Sequence, residues 1–256
     1  MTGGARRAVA VLAIALAAPA AAYVLPVPGI LRRLGERRAS LSLGALEVTG
    51  TVVAHGEAAD ALARAAGVTA VAGQVSAPAL FRMKVPGRCR LELAPPEVPE
   101  ASRPFVALRD GKVSGTAGLD RLPAAVALLR AACALLATPV AGDASDAYAA
   151  ALGRRGVALG DATLGRFDGR IAYVIGGRAR DPKPLLFVEK DGFQPLRLVA
   201  QESGAMVDVR LLGWGSPTGG DWFPRAAEVW TGETLRLRFT SERATSNPKL
   251  ADALFP

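Results

Sequence analysis

The second half of the chain alternates apolar and polar residues with period two, broken at short intervals by Asp-Gly, Ser-Gly and Gly-Gly pairs. From Thr163 onward "TLGRFDGRIAYVIGG", "PLLFVEKDGFQPLRLVAQ", "AMVDVRLLGW", "GGDWFPRAAEVW" and "ETLRLRFTSE" read as strands. Their turns fall at Asp168-Gly169, Asp191-Gly192, Ser203-Gly204, Gly219-Gly220 and Thr231-Gly232, residues that accept the positive φ of tight hairpins. Spacing this short suits an antiparallel meander, because a parallel crossover needs far more chain. Pro195 cannot donate to a ladder and marks a strand start or an unpaired edge.

The first half mixes the two periods. Leu31, Leu34 and Leu41 recur at helical spacing, with Arg32, Arg33, Glu36 and Arg37 around the remainder, which predicts an amphipathic helix over roughly Gly29 to Ser42. "LEVTGTVVAH" predicts a strand over Leu46 to His55, and "VTAVAGQVSAP" with "ALFRMKVPGRCRLEL" predicts a further pair. The Pro-rich "APPEVPEASRP" reads as a long loop, and "FVALRDGKVSG" as a hairpin turning at Asp110-Gly111. Asp120 is placed to cap a helix carrying Leu122, Val126, Leu129, Cys133 and Leu136, and "SDAYAAALG" makes a shorter helix stopping near Gly153.

The strand pattern separates two faces. On one lie Leu196, Leu198, Val207, Val209, Leu211, Leu235, Leu237 and Phe239; on the other lie Arg197, Asp208, Arg210, Arg236 and Arg238. Patterning of this kind means one buried and one solvated face. The fold class that follows is α+β: a large, curved antiparallel sheet with about three helices on one side. Such helices can cover the concavity without filling it, leaving a cavity, or pack it solid; enrichment in Leu, Val and Ala suits both.

Composition narrows the compartment. Arg6 and Arg7 precede an apolar run from Ala8 that ends in Pro19-Ala20-Ala21-Ala22, the layout of a signal peptide cleaved after Ala22. The run is shorter than the ~20 residues that span a bilayer, which favours export over the alternative of an uncleaved anchor. The expected organisation is therefore a leader over residues 1–22 and a single domain over residues 23–256, exported to the periplasm. Losing Arg6 and Arg7 lowers the formal net charge from +8 to +6, and only five of the basic residues are lysines. The arginines are scattered as pairs and single strand positions with few aromatics between them, unlike a nucleic-acid groove. Cys89 and Cys133 can pair in an oxidising compartment, worth about 4 kcal/mol for a loop of this length, or stay separately buried thiols. Two cysteines and one histidine are too few for a structural zinc site, and no cofactor motif is present.

Taken in order, the leading helix, "VTGTVVA", "APALFRMKVPG", the Pro-rich loop, "ALRDGKV", the central helices, "RIAYVIGG", "LLFVEKDGFQPLRL", "VDVRLLGW", "DWFPRAAEVW" and "SNPKLADALFP" resemble the outer-membrane lipoprotein-sorting family, the LolA/LolB-like periplasmic carriers. The resemblance runs over nearly all of the chain after the leader. It implies an incomplete, half-open β-barrel whose helices lie across a hydrophobic cavity for acyl chains. The function implied is transfer toward the outer membrane without chemistry. It also implies a monomer with transient membrane contact, an inner-membrane donor and an outer-membrane acceptor. The cavity lining expected on this basis is Phe81, Met83, Tyr173, Ile175, Phe187, Leu196, Leu198, Val207, Val209, Leu235, Leu237 and Phe239.

One departure bears on gating. The family carries Arg-Pro-x-x-Phe where its arginine helps hold the helical lid; Pro78 and Phe81 match, but Ala77 stands in the place of that arginine. A periplasmic lipid or lipoprotein sensor, or a regulatory interaction module, is the alternative on the same fold. An enzyme is the rival class. The only histidine, His55, lies beside a turn glycine without a G-x-S-x-G motif, and Asp143 with Asp146 suits a helix start better than a glycosidase pair.

Overall fold

The computed structural model describes residues 24–139 and 144–256; the leader, its cleavage point after Ala22, and Asp143 lie outside the described residues. Twelve strands form one sheet: β1 (Ala45–His55), β2 (Gln74–Lys84), β3 (Arg88–Leu93), β4 (Phe105–Arg109), β5 (Lys112–Gly115), β6 (Ala162–Phe167), β7 (Arg170–Ile175), β8 (Leu185–Glu189), β9 (Pro195–Glu202), β10 (Ala205–Leu212), β11 (Ala226–Thr231) and β12 (Thr234–Ser246). The order is β5-β4-β3-β2-β1-β12-β11-β10-β9-β8-β7-β6, with every pair antiparallel. Two meanders, β1–β5 and β6–β12, are thus joined where β1 pairs with β12. Among the described residues the sheet does not close, since β5 and β6 each pair on one side alone.

Four helices occupy the described residues: α1 (Val27–Ala39), α2 (Glu57–Ala66), α3 (Pro123–Leu136) and α4 (Ala144–Gly153). The expected three become four because α2 occupies a stretch where the pattern predicts no element. Its signals are local: Glu57 and Asp60 in the first turn favour the helix dipole, and Gly67 ends it in the left-handed region. Asp120 does not cap α3 as expected. It lies in the preceding 3₁₀ turn Leu119–Arg121, and α3 starts from Pro123, whose fixed φ suits a first helical position.

Helix α3 is buried almost all round, with Pro123 at its start exposed and Val126 and Arg130 half-buried. A helix apolar on every side belongs inside a protein. It touches β3 and β4 from one meander and β9, β10, β11 and β12 from the other. Helices α1 and α4 pack on each other closely enough that a Cβ at Gly35 would overlap the Ala144 methyl. A β-bulge in β12 falls at Glu242, opposite Thr49 and Gly50 of β1, and a Cβ on Gly50 would collide with the Thr240 carbonyl.

The opposite face carries the charged residues. Arg82 donates to Glu47, Glu92 and Glu100, and Glu92, fully buried, also accepts from Arg90 and Arg103. The C-terminal segment lies against these strands: Arg90 donates to the Leu254 carbonyl, Arg109 to that of Phe255, and the Phe255 ring is buried. Asn247 clamps the start of β1, accepting from the Gly44 and Ala45 amides and donating to the Ser42 carbonyl.

Candidate functional site

The site is built around α3. In its last turn the Cys89–Cys133 disulfide ties it to β3, which settles the two readings of these cysteines. Its C-terminal carbonyls are held from α1 and α4: Arg38 donates to the Leu136 oxygen at 3.3 Å, and the Tyr148 hydroxyl donates to Leu135 at 3.1 Å. Arg38 also donates to the carbonyls of Asp221 and Trp222. Burial pulls its pKa below the usual guanidinium value, and the same burial pushes Tyr148 up to about 12, partly opposed by Arg38.

Toward β9 and β10, polar contacts replace the covalent tie. Arg130, the single charge in α3, donates to Glu202 Oε2 at 2.5 Å, and Arg155, just after α4, donates to Glu202 Oε1 at 2.6 Å. Burial lowers the pKa of Arg155, with Glu202 opposing. This triad separates two spaces. Outside it is a cleft of about 890 Å³, bounded by the turns at Pro86-Gly87, Asp110-Gly111 and Gln201–Ser203 and walled by small residues of α3 and α4. Inside it is a crevice of about 10 Å³ between α3 and the sheet, lined by Ala127, Ala131, Leu198, Ala200, Val207 and Val209. Arg155 and Glu202 line both.

Eleven of the twelve expected lining residues, all but Leu235, belong to a single apolar cluster, and strand pairing puts ten of them on one buried face: Phe81, Met83, Tyr173, Ile175, Leu196, Leu198, Val207, Val209, Leu237 and Phe239. Of these, Leu198, Val207 and Val209 border open space, and the others pack against protein. Phe81, for instance, lies 5.0 Å from the Phe223 ring and 6.4 Å from that of Phe239.

Two residues stand on the opposite face. Phe187 pairs with Arg197, whose guanidinium lies over its ring, and packs on Phe167. Cross-strand partners share a face, so Phe187 points away from α3. Leu235 pairs with Trp230 after a register shift at Val229/Trp230, is half-exposed, and lies outside the core. In the β8–β9 hairpin that carries Phe187 the left-handed residue is Phe193 rather than the expected Asp191-Gly192 pair, and β9 starts at Pro195.

Sequence patterning missed Arg130, Arg155, Glu202 and Arg38. Arg130 had a signal, as the lone charge of "PAAVALLRAACALL". Arg38 had none, because α1 is rich in arginine. His55 ends β1 opposite Gln74, and among the described residues no serine or cysteine hydrogen-bonds to it. No group of three or more His, Cys, Asp or Glu able to hold a metal gathers among the described residues.

No family model and no curated protein matches the chain. Among solved structures, a LolA superfamily protein from Nitrosomonas europaea matches with TM-score 0.48 and 12% identity, covering 91% of this chain and 98% of its own. A domain described as an outer membrane lipoprotein-sorting protein, from Vibrio parahaemolyticus, matches with TM-score 0.46 and 8% identity over 88% and 96%. A DUF1329 family protein from Desulfovibrio piger gives 0.43 and 11% over 91% and 98%. Likenesses at this level leave the functional reading to the geometry of the site.

Proposed function

We propose that the chain is a non-enzymatic periplasmic carrier that shelters the acyl chains of a lipid or lipoprotein between α3 and the apolar face of a half-barrel. The observation that carries this reading is the crevice under α3, walled by alanines and aliphatic residues, which shares Arg155 and the ion-paired Glu202 with an 890 Å³ cleft. Ligand pockets commonly measure about 300–1,000 Å³.

Curvature of the sheet is supported by the reach of α3. Its 14 residues extend about 21 Å. Strands β4 and β9 are seven steps apart in the sheet, about 34 Å if it were flat, yet both touch this helix. Bending brings them within reach.

The attachments of α3 favour opening on one side. At β3 it is covalently bound, whereas at β9–β10 polar contacts bind it through Arg130. Parting the Glu202 pairs would merge the crevice with the cleft. Each CH₂ then buried contributes about 0.8 kcal/mol, so one acyl chain suffices for tight binding. The exported leader, a single domain over residues 23–256, transient membrane contact, and donor and acceptor proteins complete the proposal.

Mass spectrometry of lipids extracted from native purified protein, with displacement of a fluorescent fatty acid, tests it. Stoichiometric acyl ligand or saturable probe binding is expected. Finding neither sinks the carrier reading.

A further inference from the structure

The cleft outside the triad is more than a passage, because its charge is unbalanced. Three arginines line it: Arg130, Arg154 and Arg155. Glu202 alone serves two of them, and the other acid of the lining, Asp110, lies near Arg109 on an exposed turn. Arg154 is exposed beside them and joined to no acid among the described residues. A guanidinium offers five N–H donors in a planar fork, and Arg130 and Arg155 each meet Glu202 through a single nitrogen. Much of their donor capacity is left for another anion.

Part of the remaining wall is apolar and small: Ala134 of α3, Ala137 just past its end, Ala147, Ala150 and Ala151 of α4, and Pro139, with Thr138, Gln201 and Ser203 polar among them. A cationic end beside an apolar wall, continuous through Glu202 with the crevice, fits an amphiphile with an anionic head. Planar donors in a fork favour tetrahedral oxyanions over single-point charges.

We propose that Arg130, Arg154 and Arg155 bind the phosphate group of an anionic phosphoester amphiphile, the acyl part lying along the alanines of α3. The phosphate competes with Glu202 for the arginines, so head-group binding loosens the Glu202 pairs and opens the crevice to the chain. This assignment rests on the carrier reading, since it names the head of the ligand whose chains that reading shelters.

The test is calorimetric titration of the full purified chain with dioctanoyl phosphatidic acid, dioctanoyl phosphatidylcholine and inorganic phosphate. Phosphatidic acid should bind about tenfold more tightly than phosphatidylcholine, the scale of one charge-assisted contact. Exposed Arg154→Gln leaves the fold intact and should reduce that preference about threefold; Arg155→Gln should remove most of it. Glu202→Gln, by freeing both arginines, should tighten phosphatidic acid binding, which a purely structural role for Glu202 does not predict. Equal affinity for the two lipids, or an unchanged preference in both arginine variants, overturns the anion site and leaves the carrier reading standing. Binding of inorganic phosphate with neither lipid bound keeps the oxyanion site, assigns it to the free ion, and removes the carrier reading. If nothing binds, both fall.

Discussion

The guanidinium of Arg38 donates to the carbonyl oxygen of Leu136, tying α1 to the C-terminus of α3 across 98 residues of chain. The arginine that grips this helix-end carbonyl comes from α1, and it also holds the carbonyls of Asp221 and Trp222. A cation near a helix C-terminus is favoured by the dipole, and three carbonyl acceptors offset the desolvation of a nearly buried charge.

Arg38→Met should therefore lower stability by about 2–4 kcal/mol, because it leaves three buried or half-buried carbonyls without their donor. Arg38→Lys should recover only part of this, since an ammonium cannot reproduce the fork. Urea midpoints at constant m-value give the measurement.

Reduction of the disulfide makes a second prediction. Cys89 and Cys133 close a loop with a sequence separation of 44, for which chain entropy gives about 4 kcal/mol. The paired Cys89→Ser, Cys133→Ser variant should show a loss approaching that value in denaturant titration. If the disulfide is what confines opening to the β9–β10 side, the variant should also exchange a bound fatty acid probe faster than the parent. Unchanged exchange would remove the hinge from the carrier picture.

The buried tyrosine predicts the alkaline limb of stability. Burial raises the Tyr148 pKa to about 12 from an ordinary value of 10.0. Between these values the unfolded phenol has lost its proton while the folded one retains it. The folded state then binds more protons, and stability falls as pH rises. The slope should approach about 1.4 kcal/mol per pH unit between roughly pH 10 and 12, with no contribution below that window. Tyr148→Phe should flatten this part of the curve at the cost of the hydrogen bond to Leu135. Guanidinium melts between pH 9 and 12 decide it; an equal slope in both proteins removes Tyr148 as the cause.

Much of the sheet was legible because period two is visible wherever one face is wet. Leu196, Arg197, Leu198 and Val207, Asp208, Val209 fall on the faces that alternation assigns them. The signal fails where both faces are dry. Leu185, Leu186, Phe187 and Val188 are all buried, so nothing in their polarity says which of them meets α3. It also fails at an insertion, because one extra residue in a strand reverses every later side chain and leaves no mark in hydrophobicity. The arginine cleft was invisible for a different reason. Arg130, Arg155 and Glu202 come from a helix, a post-helical loop and a strand end, and only the sheet's topology brings them together.

Leucines 235 and 237 provide a direct test of the register in β12. Regular alternation puts both on the buried face, and both would then cost similar amounts when truncated. The register shift instead pairs Leu237 with Val229, inside the core, and Leu235 with Trp230, on the face that carries Arg210 and Asp208. Leu237→Ala should cost about 2–5 kcal/mol, as for other fully buried leucines. Leu235→Ala removes a half-exposed cross-strand contact and should cost less than about 1 kcal/mol. The same pair reports on the site: Leu235→Ala should leave fatty acid binding unchanged, because its side chain lies across the sheet from α3. Equal losses of stability at the two positions would mean that β12 runs without the shift and that Leu235 lines the concavity after all.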